Sequence, residues 1–144
     1  MTTRPPGAFE LTRRLEFSAA HRLHNPDFSD EKNRDVFGVC NNPNGHGHNY
    51  VLDVTLRGPA DPATGMVMDL NRLAVLLHEK VFTEVDHKHL DHDVAWLAGR
   101  ISTAENVAAA IWERLDADLE GKLYRLRLYE SDHNYVDYHG PDAG

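Results

Sequence analysis

Two histidines and a cysteine stand close together in Gly38-Val39-Cys40-Asn41-Asn42-Pro43-Asn44-Gly45-His46-Gly47-His48-Asn49-Tyr50. These residue types hold metal ions and move protons. His46 and His48 share one parity with Tyr50, Leu52, Val54 and Leu56. The run Val51 to Leu56 alternates as a strand does, and side chains two apart on a strand point the same way, so both imidazoles belong on the core-facing side. Two neutral imidazoles on one buried face suit a cation. The plainer alternative is a pair of histidines that satisfy hydrogen bonds in a glycine-rich loop.

A third imidazole, His21, ends a second alternating run, Phe9, Leu11, Arg13, Leu15, Phe17, Ala19, His21, on its mostly apolar side. Three histidines give zinc three nitrogen ligands and leave a fourth tetrahedral position for substrate or water, as in catalytic sites. Cys40 admits three roles. It is a buried small residue, a thiol activated by a nearby cation to act as base or nucleophile, or a fourth ligand that would close the metal site and make it structural. In Asp86-His87 a carboxylate can orient its neighbouring imidazole for proton transfer, although such pairs in polar turns are commonly just solvated; His89 and His92 in the same turn gain no role. Glu130 continues the apolar parity of Tyr124, Leu126 and Leu128. A lone carboxylate there is costly to bury unless it receives donors, either from a ligand or because the strand has already left the core. Glu105, three residues after Ser102, fits the acid of a helix capping box.

The elements that must position these groups read in order as strand, strand, helix, helix, strand, strand. The first helix is predicted from an Asp69 N-cap, with Leu70, Leu73, Ala74, Leu77 and Val81 at helical spacing, to about Phe82–Val85. The second starts at Ser102, carries Val107, Ala108, Ile111 and Leu115 inward, and ends at Gly121. Strands follow from Tyr124 to Glu130 and from Tyr135 to Tyr138. Residues 22–45 have little periodicity and are expected as a long, functional loop. The fold class is α+β: a four-stranded antiparallel sheet with two helices on one face, whose open edges favour pairing with further subunits.

The chain has 144 residues, 41% hydrophobic and 26% charged, which fits one globular domain. We expect a flexible leader over 1–8, the domain over 9–139 and a tail over 140–144. The apolar runs are too short to span a bilayer. The start of the chain lacks the hydrophobic core of a secretory signal and there is a single cysteine, so a cytoplasmic protein is expected. A formal net charge of −8 with no basic block excludes recognition of nucleic acid through its phosphates. A small anionic substrate needs only a local cluster of donors.

Phe17-Ser18-Ala19-Ala20-His21-Arg22-Leu23-His24, Cys40 to Tyr50, Gly65-Met66-Val67-Met68-Asp69, Asp86-His87-Lys88, Ser102-Thr103-Ala104-Glu105-Asn106 and Tyr129-Glu130 occur in an order and spacing that closely resemble the 6-pyruvoyl tetrahydropterin synthase family. The likeness runs from about Leu15 to Tyr138. It implies a tunnelling fold (T-fold), in which trimers close a barrel from their sheets and two trimers stack into a hexamer with active sites between subunits. It further implies that His21, His46 and His48 bind Zn2+, that Cys40 is the general base with Asp86 and His87 as proton-relay partners, and that Glu130 anchors a pterin ring beside Thr103 and Glu105. The family commonly has a second threonine where this chain has Ala104. The substrate implied is 7,8-dihydroneopterin triphosphate. A sister branch makes 6-carboxytetrahydropterin from the same substrate for deazapurine biosynthesis, with three residues between cysteine and the first histidine. Here five intervene, Asn41 to Gly45, and the spacing favours the pyruvoyl branch. A structural zinc module and a three-histidine zinc hydrolase are the competing classes.

Overall fold

The computed structural model describes residues 7–143, so residues 1–6 of the expected leader and Gly144 of the expected tail lie outside the described residues. β1 (Phe9–His21) and β2 (His46–Gly58) run the full length that alternation allows, and they pair antiparallel from Phe9↔Gly58 through Phe17↔Tyr50 and Ala19↔His48 to His21↔His46. β4 (Leu123–Ser131) pairs with β2, with Val51 opposite Tyr129 and Leu52 opposite Leu128, and β5 (Asn134–Tyr138) closes the far side. Alternation predicts four antiparallel strands. The sheet has five, because β3 (Lys88–His89) joins the outer side of β1 in parallel, and the order is β3-β1-β2-β4-β5. Two residues hold too little pattern to be read as a strand from sequence.

One face of the sheet is apolar. Leu52, Val54, Leu56, Leu126 and Leu128 have no accessible surface and meet Leu73, Val81, Val85, Val107, Ala108, Ile111 and Leu115, which are equally buried. Each such leucine contributes roughly 1.5–3 kcal/mol relative to exposure. These partners come from two helical stretches. The first is α2 (Leu70–Leu77), a π-helical turn His78–Phe82 and α3 (Thr83–Val85), begun by Asp69, whose carboxylate accepts from the Asn71 N–H at 2.9 Å. The second is α5 (Ala104–Leu115), followed by a 3-10 turn Asp116–Asp118; Gly121 at φ 74° then turns the chain into β4. The opposite sheet face is polar. Arg14 and Arg127 make two-pronged ion pairs with Asp53 and Asp137, and Thr12 and Thr55 hydroxyls meet at 2.8 Å.

Two local expectations are corrected. The segment 22–45 is no structureless loop: it holds α1 (Asp30–Phe37) and a 3-10 turn, Gly38–Asn41, so a helix lies between the first two strands. Only Asn33 of α1 is buried, so no apolar stripe betrays the helix. Its support is polar: Ser29 caps it at the Lys32 N–H, and the Asn33 amide both accepts from the Asn25 N–H and donates to its carbonyl. Likewise α5 is capped by Thr103, whose hydroxyl accepts from the Asn106 N–H, and not by Ser102 with Glu105. Ser102 is buried and serves a histidine instead. A further short helix, α4 (Leu90–Asp93), follows β3.

Candidate metal and ligand site

The β1–β2 ladder sets the site out in rows. His21 faces His46 across the sheet, Ala19 faces His48 one step along, and Phe17 faces Tyr50 after that. Side chains of one parity share a face, so the three imidazoles gather at one end of the core. Their ring centroids lie 4.6–5.1 Å apart, and their ligating atoms fall within 4.8 Å of one another, near enough to hold one ion. Cys40 is not part of this group.

His21 is 1% exposed, and its Nδ1 lies 2.7 Å from the Ser102 carbonyl oxygen. A carbonyl only accepts, so Nδ1 carries the proton and Nε2 presents its lone pair. That Nε2, and Nδ1 of His46, are buried with no hydrogen-bond partner. Leaving such atoms unpaired costs about 1–3 kcal/mol each, and a cation at the centre of the triad satisfies both. Burial holds His21 and His48 below the ordinary imidazole range, with the neighbouring His46 adding to it and the Glu130 carboxylate opposing it. Both are thus kept in the neutral form that ligates metal. The donor set therefore fits a divalent ion that accepts nitrogen ligands.

Gly45 makes the approach possible. It has φ 76°, and a Cβ there would lie 3.1 Å from the His21 carbonyl oxygen and 3.1 Å from His89 Nε2. Only glycine takes that conformation cheaply, so the chain enters β2 hard against the end of β1.

Glu130 is half-buried on the face of Leu126 and Leu128. Extending the ladder one step past Val51↔Tyr129 sets it across from Tyr50, in the row next to His48. Tyr50 is 1% exposed and stacked on Phe17 at 5.0 Å; burial first, then the charges of Glu130 and Asp91, push its phenol well above the ordinary range. Thr103 is half-buried at the N-cap of α5, next to the Ser102 carbonyl that holds His21, and Glu105 is exposed in the first helical turn. The structure so brings His21, His46, His48 and Glu130 together, with the start of α5 alongside.

The other expected residues come from segments that flank β1. Cys40 is half-buried in the turn Gly38–Asn41, where its carbonyl accepts from the Leu23 N–H at 2.9 Å; the Asn41 amide donates to the Leu23 carbonyl, and the Asn41 carbonyl accepts from Arg22 Nε. The turn is thus tied to the two residues that follow His21. Asp86 lies at the edge of β1: its carboxylate accepts from the Ser18 N–H and from Nδ1 of His87, the latter at 2.6 Å. These two hydrogen bonds, the backbone one first, hold Asp86 below the usual carboxylate range. His87 adopts φ 60° and its ring is 82% exposed, opening on a groove of about 430 Å³ that it shares with Ser18, His48 and Asn49. A non-glycine residue in that backbone region costs on the order of 1–3 kcal/mol; Glu120, in the turn before β4, is the other among the described residues. Sequence reasoning missed Ser102 and Tyr50 as site residues, although the parity His46, His48, Tyr50 already carried the second.

A profile described as 6-pyruvoyl tetrahydropterin synthase matches residues 10–141. The chain belongs to this family. It is 51% identical over 132 residues to the 6-pyruvoyl tetrahydrobiopterin synthase of Homo sapiens, covering 91% of each chain, and 46% identical over 138 residues to that of Drosophila melanogaster, covering 94% of this chain and 82% of the other. A 6-carboxy-5,6,7,8-tetrahydropterin synthase of Haemophilus influenzae is 24% identical, covering 90% and 98%. The solved structure of Caenorhabditis elegans 6-pyruvoyl tetrahydropterin synthase superposes with a TM-score of 0.90 at 41% identity, covering 96% of this chain and 99% of that one. No helix among the described residues is long and apolar enough to cross a membrane.

Proposed function

We propose that this family member is a zinc-dependent carbon–oxygen lyase that converts 7,8-dihydroneopterin triphosphate into 6-pyruvoyl tetrahydropterin and releases triphosphate. The observation that carries this is the ladder itself: three clustered imidazoles, two of them with buried, unpartnered nitrogens, beside a half-buried carboxylate. A carboxylate accepts two N–H donors side by side, which matches the amino group and ring N–H of a pterin, so Glu130 holds the ring with Thr103 and Glu105 at its margin. His21, His46 and His48 hold Zn2+, which when bound supplies Lewis-acid polarisation of the substrate side chain. Cys40 takes a proton from that side chain as general base. Asp86 fixes His87 with Nδ1 protonated, leaving Nε2 to accept a proton in relay.

The exposure of His87 and of the β5 edge suits a site completed by a neighbouring copy. Together with the family membership, it supports a T-fold assembly of two stacked trimers forming a hexamer. The pyruvoyl product is preferred to the carboxy product on the five-residue spacing between Cys40 and His46 and on the 51% against 24% identities to the two kinds of relative. Three histidines without a thiol leave a coordination position open, unlike a structural zinc module, and a hydrolase would have no use for a carboxylate in the row beside the metal.

Product analysis tests this. Zinc-loaded protein incubated with 7,8-dihydroneopterin triphosphate should release triphosphate and yield 6-pyruvoyl tetrahydropterin by mass spectrometry. A 6-carboxy product, or intact substrate, would overturn the proposal.

A further inference from the structure

Among the described residues, five buried side-chain polar atoms lack a hydrogen-bond partner, and three of them, His21 Nε2, His46 Nδ1 and the Tyr50 hydroxyl, belong to one end of the sheet. A cation explains the two imidazole nitrogens, which offer lone pairs. It does not explain Tyr50, whose hydroxyl has a proton to give. Buried tyrosine hydroxyls normally find an acceptor, and here Glu130, the nearest acceptor by register, is not bonded to it.

Tyr50's position makes the unpaired donor informative. It shares a row with Phe17 and, by register, with Glu130, while the next rows toward the end of the sheet hold His48 and then the His21–His46 pair. Its ring stands edge-on to both His48, at 5.5 Å, and His21, at 6.1 Å. Tyr50 therefore adjoins the metal-binding imidazoles and feels the Glu130 charge. A ligand with its ring at Glu130 and its side chain at the triad would come against Tyr50, whose unpaired hydroxyl is enclosed in the free chain.

We propose that the Tyr50 hydroxyl is a substrate-binding donor, giving a hydrogen bond to an acceptor atom at the junction of the pterin ring and its side chain. This rests on the pterin reading of the site. The hydroxyl is kept unpaired in the free protein and paired in the complex, so it makes the empty site less stable and the filled site tighter.

Tyr50→Phe removes that hydroxyl and leaves the ring that packs on Phe17. Binding of 7,8-dihydroneopterin to zinc-loaded protein, followed by pterin fluorescence, should be about tenfold to a hundredfold weaker in the variant, the effect of leaving one buried acceptor unpaired. Zinc content should be unchanged, and the melting temperature without ligand should be equal to or above that of the parent. Equal affinity of variant and parent overturns the proposal. A lower ligand-free melting temperature or a loss of zinc also overturns it, since the hydroxyl would then have an internal partner. Failure of the parent itself to bind the pterin overturns the pterin reading, which separates the two cases.

Discussion

Removing His21 and removing His46 should have unequal effects on the metal-free protein and the same effect on metal binding. His21 is fully buried and donates to the Ser102 carbonyl at 2.7 Å. His21→Ala orphans that carbonyl, at about 1–3 kcal/mol, and opens a void that adds about 24 cal/mol per Å³ left unfilled. The total expected is about 2–4 kcal/mol. The His46 Nδ1 has no partner to lose, and the residue is only half-buried, so His46→Ala should cost about 0–1 kcal/mol. Zinc at a hundred times its Kd stabilises the parent by about 2.7 kcal/mol, and both variants should forfeit that increment. Urea denaturation of parent and variants at fixed protein concentration, with chelator and with zinc, gives every value needed. Equal metal-free stabilities would refute the role of the Ser102 bond. A zinc-dependent gain retained by His46→Ala would refute the ligand set.

Three other outcomes are expected. His21 and His48 sit below the ordinary imidazole value of 6.5, so the unfolded chain binds protons that the folded chain keeps off. Metal-free stability should therefore be fully present above about pH 7 and decline as pH falls through 6.5; a urea midpoint that rises on acidification over that window contradicts the assignment. Cys40→Ala should keep full zinc content and lose about 10²- to 10⁴-fold in turnover, with Asp86→Asn losing turnover as well; zinc loss or near-normal turnover in the cysteine variant would make it a ligand or a bystander. Sedimentation at micromolar concentration should show a hexamer, since β5 is an exposed edge with Tyr135 50% accessible, and an active monomer would exclude a site shared between subunits.

What is legible in the sequence follows one physical rule. Wherever the chain is half-buried, alternation or helical spacing is imposed by the core, and the boundaries of β1, the Asp69 start of the first helix and the strands of the C-terminal hairpin can be read from it. α1 and β3 are not legible because neither buries apolar side chains: one is held by Ser29 and the Asn33 amide, the other by two residues of pairing to β1. The cap of α5 falls one position later than the capping-box pattern predicts, for a related reason. Ser102 and Thr103 are equally good caps by type, and the choice is made by a contact 81 residues away, the claim of His21 on the Ser102 carbonyl.

That contact shows how tightly site and core share one determinant. The pairing of Phe17 with Tyr50 and Leu52 with Leu128 fixes which side chains fill the core, and the same register carries His48 next to Ala19 and His46 opposite His21. A one-residue slip of β2 would turn both histidines to the polar face together with Leu52, Val54 and Leu56. The burial of those three aliphatic residues, several kcal/mol in all, thus also holds two of the three imidazoles in place without a metal. The sheet register is enough to set His46 and His48 on the core face. Zinc affinity should then depend on core residues such as Val54 and Leu128 only through the register they enforce. Substitutions that trim the core without shifting it, for instance Leu128→Val, should lower stability by about 1 kcal/mol while leaving zinc content intact, and a loss of zinc in that variant at a temperature where it stays folded would refute the argument.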